Sequence, residues 1–326
     1  MMFKSLRRFT YSLLAILLAS LSVPLLAKAD GQSTTTHTLN NSYVVYGAGV
    51  ASEHYADLDN VLGTDSNFKK LTSTASDYRK YISDSTNTTD AAMISSVAIA
   101  PGDPGSGVKV NIKDYNGSNN ITTVTAQQYA LVAQMAGVTD VTIVVTANRP
   151  VSGEAALTGV YKAFAADGAT LNTTNTATAN QMLDATQDAI NANSDDKTYP
   201  GKLMAAVGDT TKQIAQEKQD GNSLTTDQIA KLLEEALAKR GISEQTTTNQ
   251  VNNIVNVLVN FQNSPISSSS KYVSNVGNTI NNVKNSTGNL MNKAKDWASS
   301  LDTKKASETA QNWFQKLIAW IQSLFS

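Results

Sequence analysis

The hydrophobic positions of this chain fall into three regimes. From Tyr11 to Leu26 the run is almost continuous, from Ser42 to Gly168 strand-like and helix-like spacings take turns, and beyond Asn172 only helical spacing remains. In the middle regime, Ser42 to Val50 is a β-prone run ending in glycine, followed by a helix-like stretch from Ser52 to Leu62. Met93 to Ala100 predicts a strand, and Pro101 to Gly107 is dense in turn residues. Val108, Val110 and Ile112 then alternate with Lys109, Asn111 and Lys113, the pattern of a half-buried antiparallel strand, and the two strands are expected to pair as a hairpin. Thr125 to Ala136 reads as a helix with Tyr129, Val132, Ala133 and Met135 on or near one side and Gly137 as its stop. Val141 to Ala147 is β-branched enough for an inner strand. A second helix follows, capped by Ser152, with Ala155, Leu157, Val160 and Phe164 on its apolar face and Gly168 at its end. The order strand, strand, helix, strand, helix predicts an α+β fold, a small mixed β-sheet with helices covering one face. A mostly α-helical C-terminal half comes after it.

In that half, helices are expected over Asn180 to Ile190, Leu203 to Lys218 and Thr226 to Arg240, the last stopping at Gly241. Val251, Ile254, Val255, Leu258 and Phe261 mark a fourth, before Pro265 and a serine run. Val273, Val276, Ile280, Val283, Thr287, Leu290, Ala294, Trp297 and Leu301 then follow alternating spacings of three and four, a narrow stripe on a long helix. Glycines at 277 and 288 and the absence of flanking charge pairs favour docking on the chain's own helices over a free zipper. The last stripe, Trp313, Phe314, Leu317, Ile318, Trp320, Ile321, Leu324 and Phe325, is dense in aromatic and aliphatic residues. It suits either a core-docking helix or a contact with a membrane surface or partner, made by Trp313, Phe314, Leu317, Trp320, Ile321 and Phe325. The expected organisation is therefore residues 1–29 as signal peptide, 30–41 as disordered leader containing His37, 42–170 as α+β domain, 171–264 as helical region and 265–326 as long amphipathic helices.

The N-terminal run carries the clearest functional statement. Lys4, Arg7 and Arg8 precede it and Ala27-Lys28-Ala29 closes it, which predicts a secretory signal peptide cleaved after Ala29. A membrane anchor would want about 20 apolar residues and no Pro24. Cleavage removes four basic residues and no acid, so the mature chain is more acidic than the whole chain's formal net charge of −1. A mildly acidic exported protein lacks the concentrated basic face that nucleic acid requires. Charged residues make up 16% of the chain against about a quarter in typical domains, with uncharged polar residues in their place. With no cysteine and two histidines, disulfide frameworks, thiol nucleophiles, thiolate zinc sites and most histidine-based relays drop out.

No nucleotide-binding glycine loop, nucleophile elbow or zinc-protease motif occurs, so neither nucleotide nor any other cofactor is expected. Ser-x-x-Lys occurs at Ser66–Lys69 and Ser268–Lys271, at the frequency this serine content produces by chance. Two loops combine unusual backbone with charge, Pro101 to Gly107 and Ala147 to Glu154. The second runs from a buried strand into a helix start, which would place Arg149, Ser152, Gly153 and Glu154 where exposed amides can meet an anion, with Asp103 from the first loop nearby. The competing expectation is structural, with Ser152 as cap, Glu154 complementing the helix dipole, and Arg149 paired to Asp103 or Glu154.

Four ordered segments, Ala92–Pro101, Gly107–Ile112, Thr125–Tyr129 and Arg149–Gly159, resemble the YpuA-like family of secreted Gram-positive proteins of unknown function. The likeness covers Ser42 to Ile190, and the helical remainder more loosely. It implies export and an envelope setting and brings no catalytic or binding residues with it. The expectation is thus a secreted, cell-envelope-associated, non-enzymatic binding or structural protein, its partner an envelope component or membrane surface and its oligomeric state open. The rival is an extracellular envelope hydrolase using acidic residues near the 101–107 and 147–154 loops.

Overall fold

The computed structural model describes residues 36–84 and 87–285. Five strands form one sheet in the order β2-β1-β3-β5-β4, with β1 Tyr43–Gly47, β2 Lys69–Ser73, β3 Ser96–Pro101, β4 Val108–Ile112 and β5 Val141–Thr146. β1 pairs with β2 and β4 with β5 in parallel, while β3 runs antiparallel to both β1 and β5. Four strands therefore point the same way, and their carboxyl ends share one end of the sheet. The expected α+β class holds.

The expected hairpin does not. β5 lies between β3 and β4, with Val141 opposite Pro101 on one side and Val108 on the other. Alternation in β4 specifies one half-covered face but not a partner. A loop of six residues suffices to step across one strand, about 10 Å from β3 to β4. The more apolar β5, with all positions but Thr142 buried, takes the interior place. β2 and the helix after it, α2 Ala75–Tyr81, have no hydrophobic period that marks them. Their signal is Thr74-x-x-Asp77, a capping box in which the Thr74 hydroxyl accepts from the Asp77 amide and the Asp77 carboxylate from the Thr74 amide.

Helices cover both faces of the sheet, not one. On one face lies α4 Glu154–Ala166, whose Gly159 leaves no room for a side chain against Val45 and Val97. Val45 and Tyr46 point to opposite sides because strand side chains alternate. On Tyr46's side lies α1 Tyr55–Leu62, with the Tyr46 and Tyr55 rings stacked at 3.9 Å and the Tyr46 hydroxyl donating to Asp59 at 2.5 Å. This double cover explains why every residue of β1 is buried.

The helices after α3 Ala126–Met135 and α4 are α5 Thr173–Ala192, α6 Tyr199–Gln219, α7 Thr226–Lys239, α8 Thr248–Asn263 and α9 Ser270–Asn285. α5 starts seven residues before the spacing predicts. Its first turns, rich in Thr and Asn, carry little periodic signal, and Asn172 caps them by accepting from the amides of Thr174 and Asn175. Thr125, Thr225 and Thr247 each form a capping box with a glutamine three residues on. All five marked residues of α8 are buried. α9 packs on α6 and α3, with Val276, Ile280 and Val283 buried, so the docking expectation holds for the described part of the stripe. The rest of the stripe and the terminal aromatic face, Trp313 to Phe325, lie outside the described residues, as does the expected signal peptide.

α9 is also held by polar groups. Asp140, 2% exposed and in left-handed backbone at φ 55°, accepts from the Gly107 amide at 3.1 Å and from Asn275 Nδ2 at 3.1 Å, with Lys271 Nζ at 3.6 Å. Thr279 accepts from the Val108 amide and donates to Gln134, and Asn282 Nδ2 donates to the Val108 carbonyl. The free edge of β4 is thereby closed at its first residue, Val108, by side chains of α9. The β2 edge instead carries Lys69 and Lys70, the charge that discourages pairing with another chain. These contacts also engage the lysines of the Ser66–Lys69 and Ser268–Lys271 matches: Lys69 sits over the Tyr43 ring and Lys271 reaches Asp140.

The leader expected to be disordered belongs to the fold from Thr36 onward. His37 bridges Val138 through backbone bonds on both sides, and Leu39 is buried. Polarity in the sequence hid this because the anchor lies far along the chain. Asp167, at the end of α4, accepts from the Asn40 amide at 2.6 Å, from Asn41 Nδ2 and from the Tyr43 hydroxyl. Burial alone would push its carboxyl up, but these bonds hold it below the usual carboxylate value. Burial, then the bond to Asp167, pushes the Tyr43 hydroxyl up to about 12. A carboxyl with a depressed folded value adds stability above its unfolded value and loses it as pH falls through the folded one. Acidification below about pH 4 is therefore expected to loosen residues 36–43 first. Amide protection of that segment, taken relative to the intrinsic exchange rate at each pH, is expected to fall at acid pH in the native chain and to be low at all pH in Asp167→Asn.

Candidate functional site

The carboxyl ends of four strands open onto the loops most able to build a site. In sheets with parallel strands the crevice outside those ends is where ligands most often bind. β5 leads through Ala147 to Ser152 into α4, and β4 leads through residues 113–124 into α3. The two loops zip together: the Val151 amide donates to Asn120, and the Thr122 and Val124 amides donate to Val151 and Ser152.

On one side of this seam is a small cavity of about 140 Å3 lined by Tyr78, Ser95, Ser152, Gly153, Glu154 and neighbours. The cap of α4 is Gly153, at φ 109°, not Ser152. Ser152 is exposed and uses its carbonyl on Val124, while the serine serving the helix start is Ser95, which accepts from the Ala156 amide at 2.9 Å and donates to the Gly153 carbonyl. A serine 61 positions away supplies the missing acceptor, a contact no local pattern announces. Glu154 accepts from the Tyr78 hydroxyl at 2.5 Å. Burial and this bond push the Tyr78 hydroxyl well above its ordinary value. Arg149 is exposed and donates to the Ala91 carbonyl at 3.2 Å; among the described residues no ion pair joins it to Glu154 or Asp103.

Asp103 is elsewhere. Its loop passes beneath the start of β5, where the Gly102 amide donates to the Asp140 carbonyl. The length of β5 separates it from Arg149, about 20 Å for six residues. Four of the five expected ligand residues, Arg149, Ser152, Gly153 and Glu154, thus share one end of the sheet, and Asp103 lies at the other. Sequence spacing missed Asp184, on α5. Burial, then the Glu154 charge, pushes its carboxyl above the usual value.

On the other side of the seam is a larger cleft of about 430 Å3. Ile112, Ile121, Val124 and Pro200 provide apolar surface, and Asn119, Thr122, Thr123, Asn191, Asn193 and Ser194 provide amides and hydroxyls. Its two charged residues are already engaged: Asp196 accepts from the Thr198 amide and hydroxyl, and Lys197 Nζ donates to the Ser194 carbonyl. None of the polar lining residues carried a sequence signal, because the cleft joins the β4–α3 loop to the α5–α6 connection. Among the described residues, no cluster of three or more His, Asp or Glu is placed to hold a metal, and no helix is long and apolar enough to cross a membrane.

Fold and site together define an α+β protein with a polar crevice at the strand ends. The chain belongs to a family described as protein of unknown function (DUF1002), whose model matches residues 46–308. No curated protein and no solved structure matches it.

Proposed function

We propose that this is a secreted, cell-envelope-associated binding protein without catalytic activity, whose ligand enters the 430 Å3 cleft. The observation that carries the reading is the size and charge balance of that cleft: it lies within the roughly 300–1,000 Å3 of small-ligand sites, and its lining holds one acid and one base, each with a partner inside the chain. Export is supported by the basic-flanked apolar run that ends at Ala27-Lys28-Ala29. The YpuA-like, Gram-positive resemblance fits the same setting. Fractionation tests it. The native chain is expected on the cell surface, and Thr123→Trp, which fills the cleft, in the medium. Equal retention of the two would overturn cleft-mediated binding. A chain ending at Ser307 that alone is released would instead assign retention to the Trp313–Phe325 stripe.

The hydrolase reading has its own observation, the raised Asp184 carboxyl beside Glu154 and Tyr78. A carboxyl shifted upward near a second acid is the pattern of a proton donor. Under that reading, purified protein degrades envelope material and Glu154→Gln abolishes it. Under ours, no product appears with either protein.

A further inference from the structure

Resting on the binding reading, we infer that the cleft between the 119–125 segment and the α5–α6 connection takes a neutral saccharide. The groups left available choose the chemistry. Asn119 Nδ2, Asn191 Nδ2 and the hydroxyls of Thr123 and Ser194 have no partner among the described residues, while Asn119 Oδ1 is spent on the Ile121 amide and Asn191 Oδ1 on Gln187. Two amide donors and two hydroxyls are therefore uncommitted on residues that line a cleft whose carboxylate and ammonium both have partners inside the chain.

The lining carries one acid and one base, Asp196 and Lys197, so a charged ligand would meet no net counter-charge and would lose part of its hydration. A purely apolar ligand would strip water from these amides and hydroxyls and return nothing, about 1–3 kcal/mol for each buried group. An extended peptide would need a strand edge, yet the amides of Thr122 and Val124 and the carbonyl of Asn120 are consumed by Val151 and Ser152. What remains is a compact neutral molecule with many hydroxyls on a partly apolar frame. Asn119, Thr123, Asn191 and Ser194 would meet the hydroxyls, and Ile112, Ile121 and Pro200 the C–H faces of the ring.

The test is a two-dimensional NMR titration of the full mature chain with N,N′-diacetylchitobiose, cellobiose and maltose, against a neutral tripeptide amide and glucuronic acid as comparators. At least one disaccharide is expected to give saturable shifts at the side-chain amides of Asn119 and Asn191 and the backbone amides of Thr123 and Ser194. The Asn119→Ala/Asn191→Ala protein should bind it roughly tenfold more weakly, the loss of one or two hydrogen bonds. If that protein does not fold, Thr123→Val with Ser194→Ala replaces it, with the same expectation. No saturable shift with any disaccharide, equal binding by the variant, or stronger binding of the tripeptide or the acid overturns the inference. Such a failure with cleft-dependent retention on cells intact would leave the binding reading standing; loss of that retention would remove both.

Discussion

Gly153→Ala is expected to lower the stability of the folded chain by about 3 kcal/mol, a fall in Tm of roughly 6–12 °C. Two costs add at this position. Its φ of 109° lies where only glycine rests without strain, and an added Cβ would stand 2.5 Å from the Tyr129 hydroxyl and 2.8 Å from Ile121 Cγ2. The hydroxyl cannot retreat, because Tyr129 is buried and donates to the Gly153 carbonyl at 2.6 Å. Thermal unfolding of the variant measures the total. A Tyr129→Phe background separates the two parts: relief of the clash there should recover part of the loss, while the backbone strain remains. Because Gly153 also joins the seam to α4, the variant should bind more weakly in the cleft than its lowered Tm explains.

Asp140→Ala is expected to cost about 2–4 kcal/mol and to release α9 before the sheet. Its carboxylate accepts from the Gly107 amide and Asn275 Nδ2 in a place where water cannot substitute. Removing it leaves the Gly107 amide buried and unpaired and Asn275 Nδ2 with only its bond to Thr139. Hydrogen exchange should show residues 270–283 losing protection while β1 and β3 keep theirs. A uniform loss across the fold would show instead that α9 and the sheet unfold as one unit. Coupling between Asp140→Ala and Asn275→Ala, measured as a double-mutant cycle, is expected to exceed about 0.5 kcal/mol, since each removes the other's partner.

What could be read in advance followed the hydrophobic period. Val141 to Thr146, the two helices around it and the buried face of α8 carry apolar positions at the spacing their elements require, and each formed where that spacing lies. The losses have one physical character. β2, the first turns of α5 and the docked leader are built largely from Lys, Thr and Asn, and the partners of the last two elements sit far away in sequence: Asp167 for Asn40, the Ile266 amide for Asn175. Hydrogen bonds between distant residues leave no period. The same holds for the crevice. The 147–154 loop announced itself by its own residues, but its larger neighbour is assembled from Asn119, Thr123 and Asn191, which are ordinary wherever they stand alone. The strand order was hidden for a related reason, since a pattern of alternation states how a strand is covered and not beside which strand it lies.

The closure of the β4 edge by α9 has a consequence for how the chain acquires its fold. Val108 finds its partners in Thr279 and Asn282, more than 170 positions later. During vectorial synthesis the sheet can pair internally once β5 has emerged, yet the Val108 end of its outer edge lacks these partners until the last described helix exists. Contacts of such sequence separation slow folding, because the entropy of closing a long loop is lost before the contact returns any free energy. The nascent chain should therefore remain open and protease-sensitive for most of its synthesis, and pass to a protected state only when residues near 280 have been released.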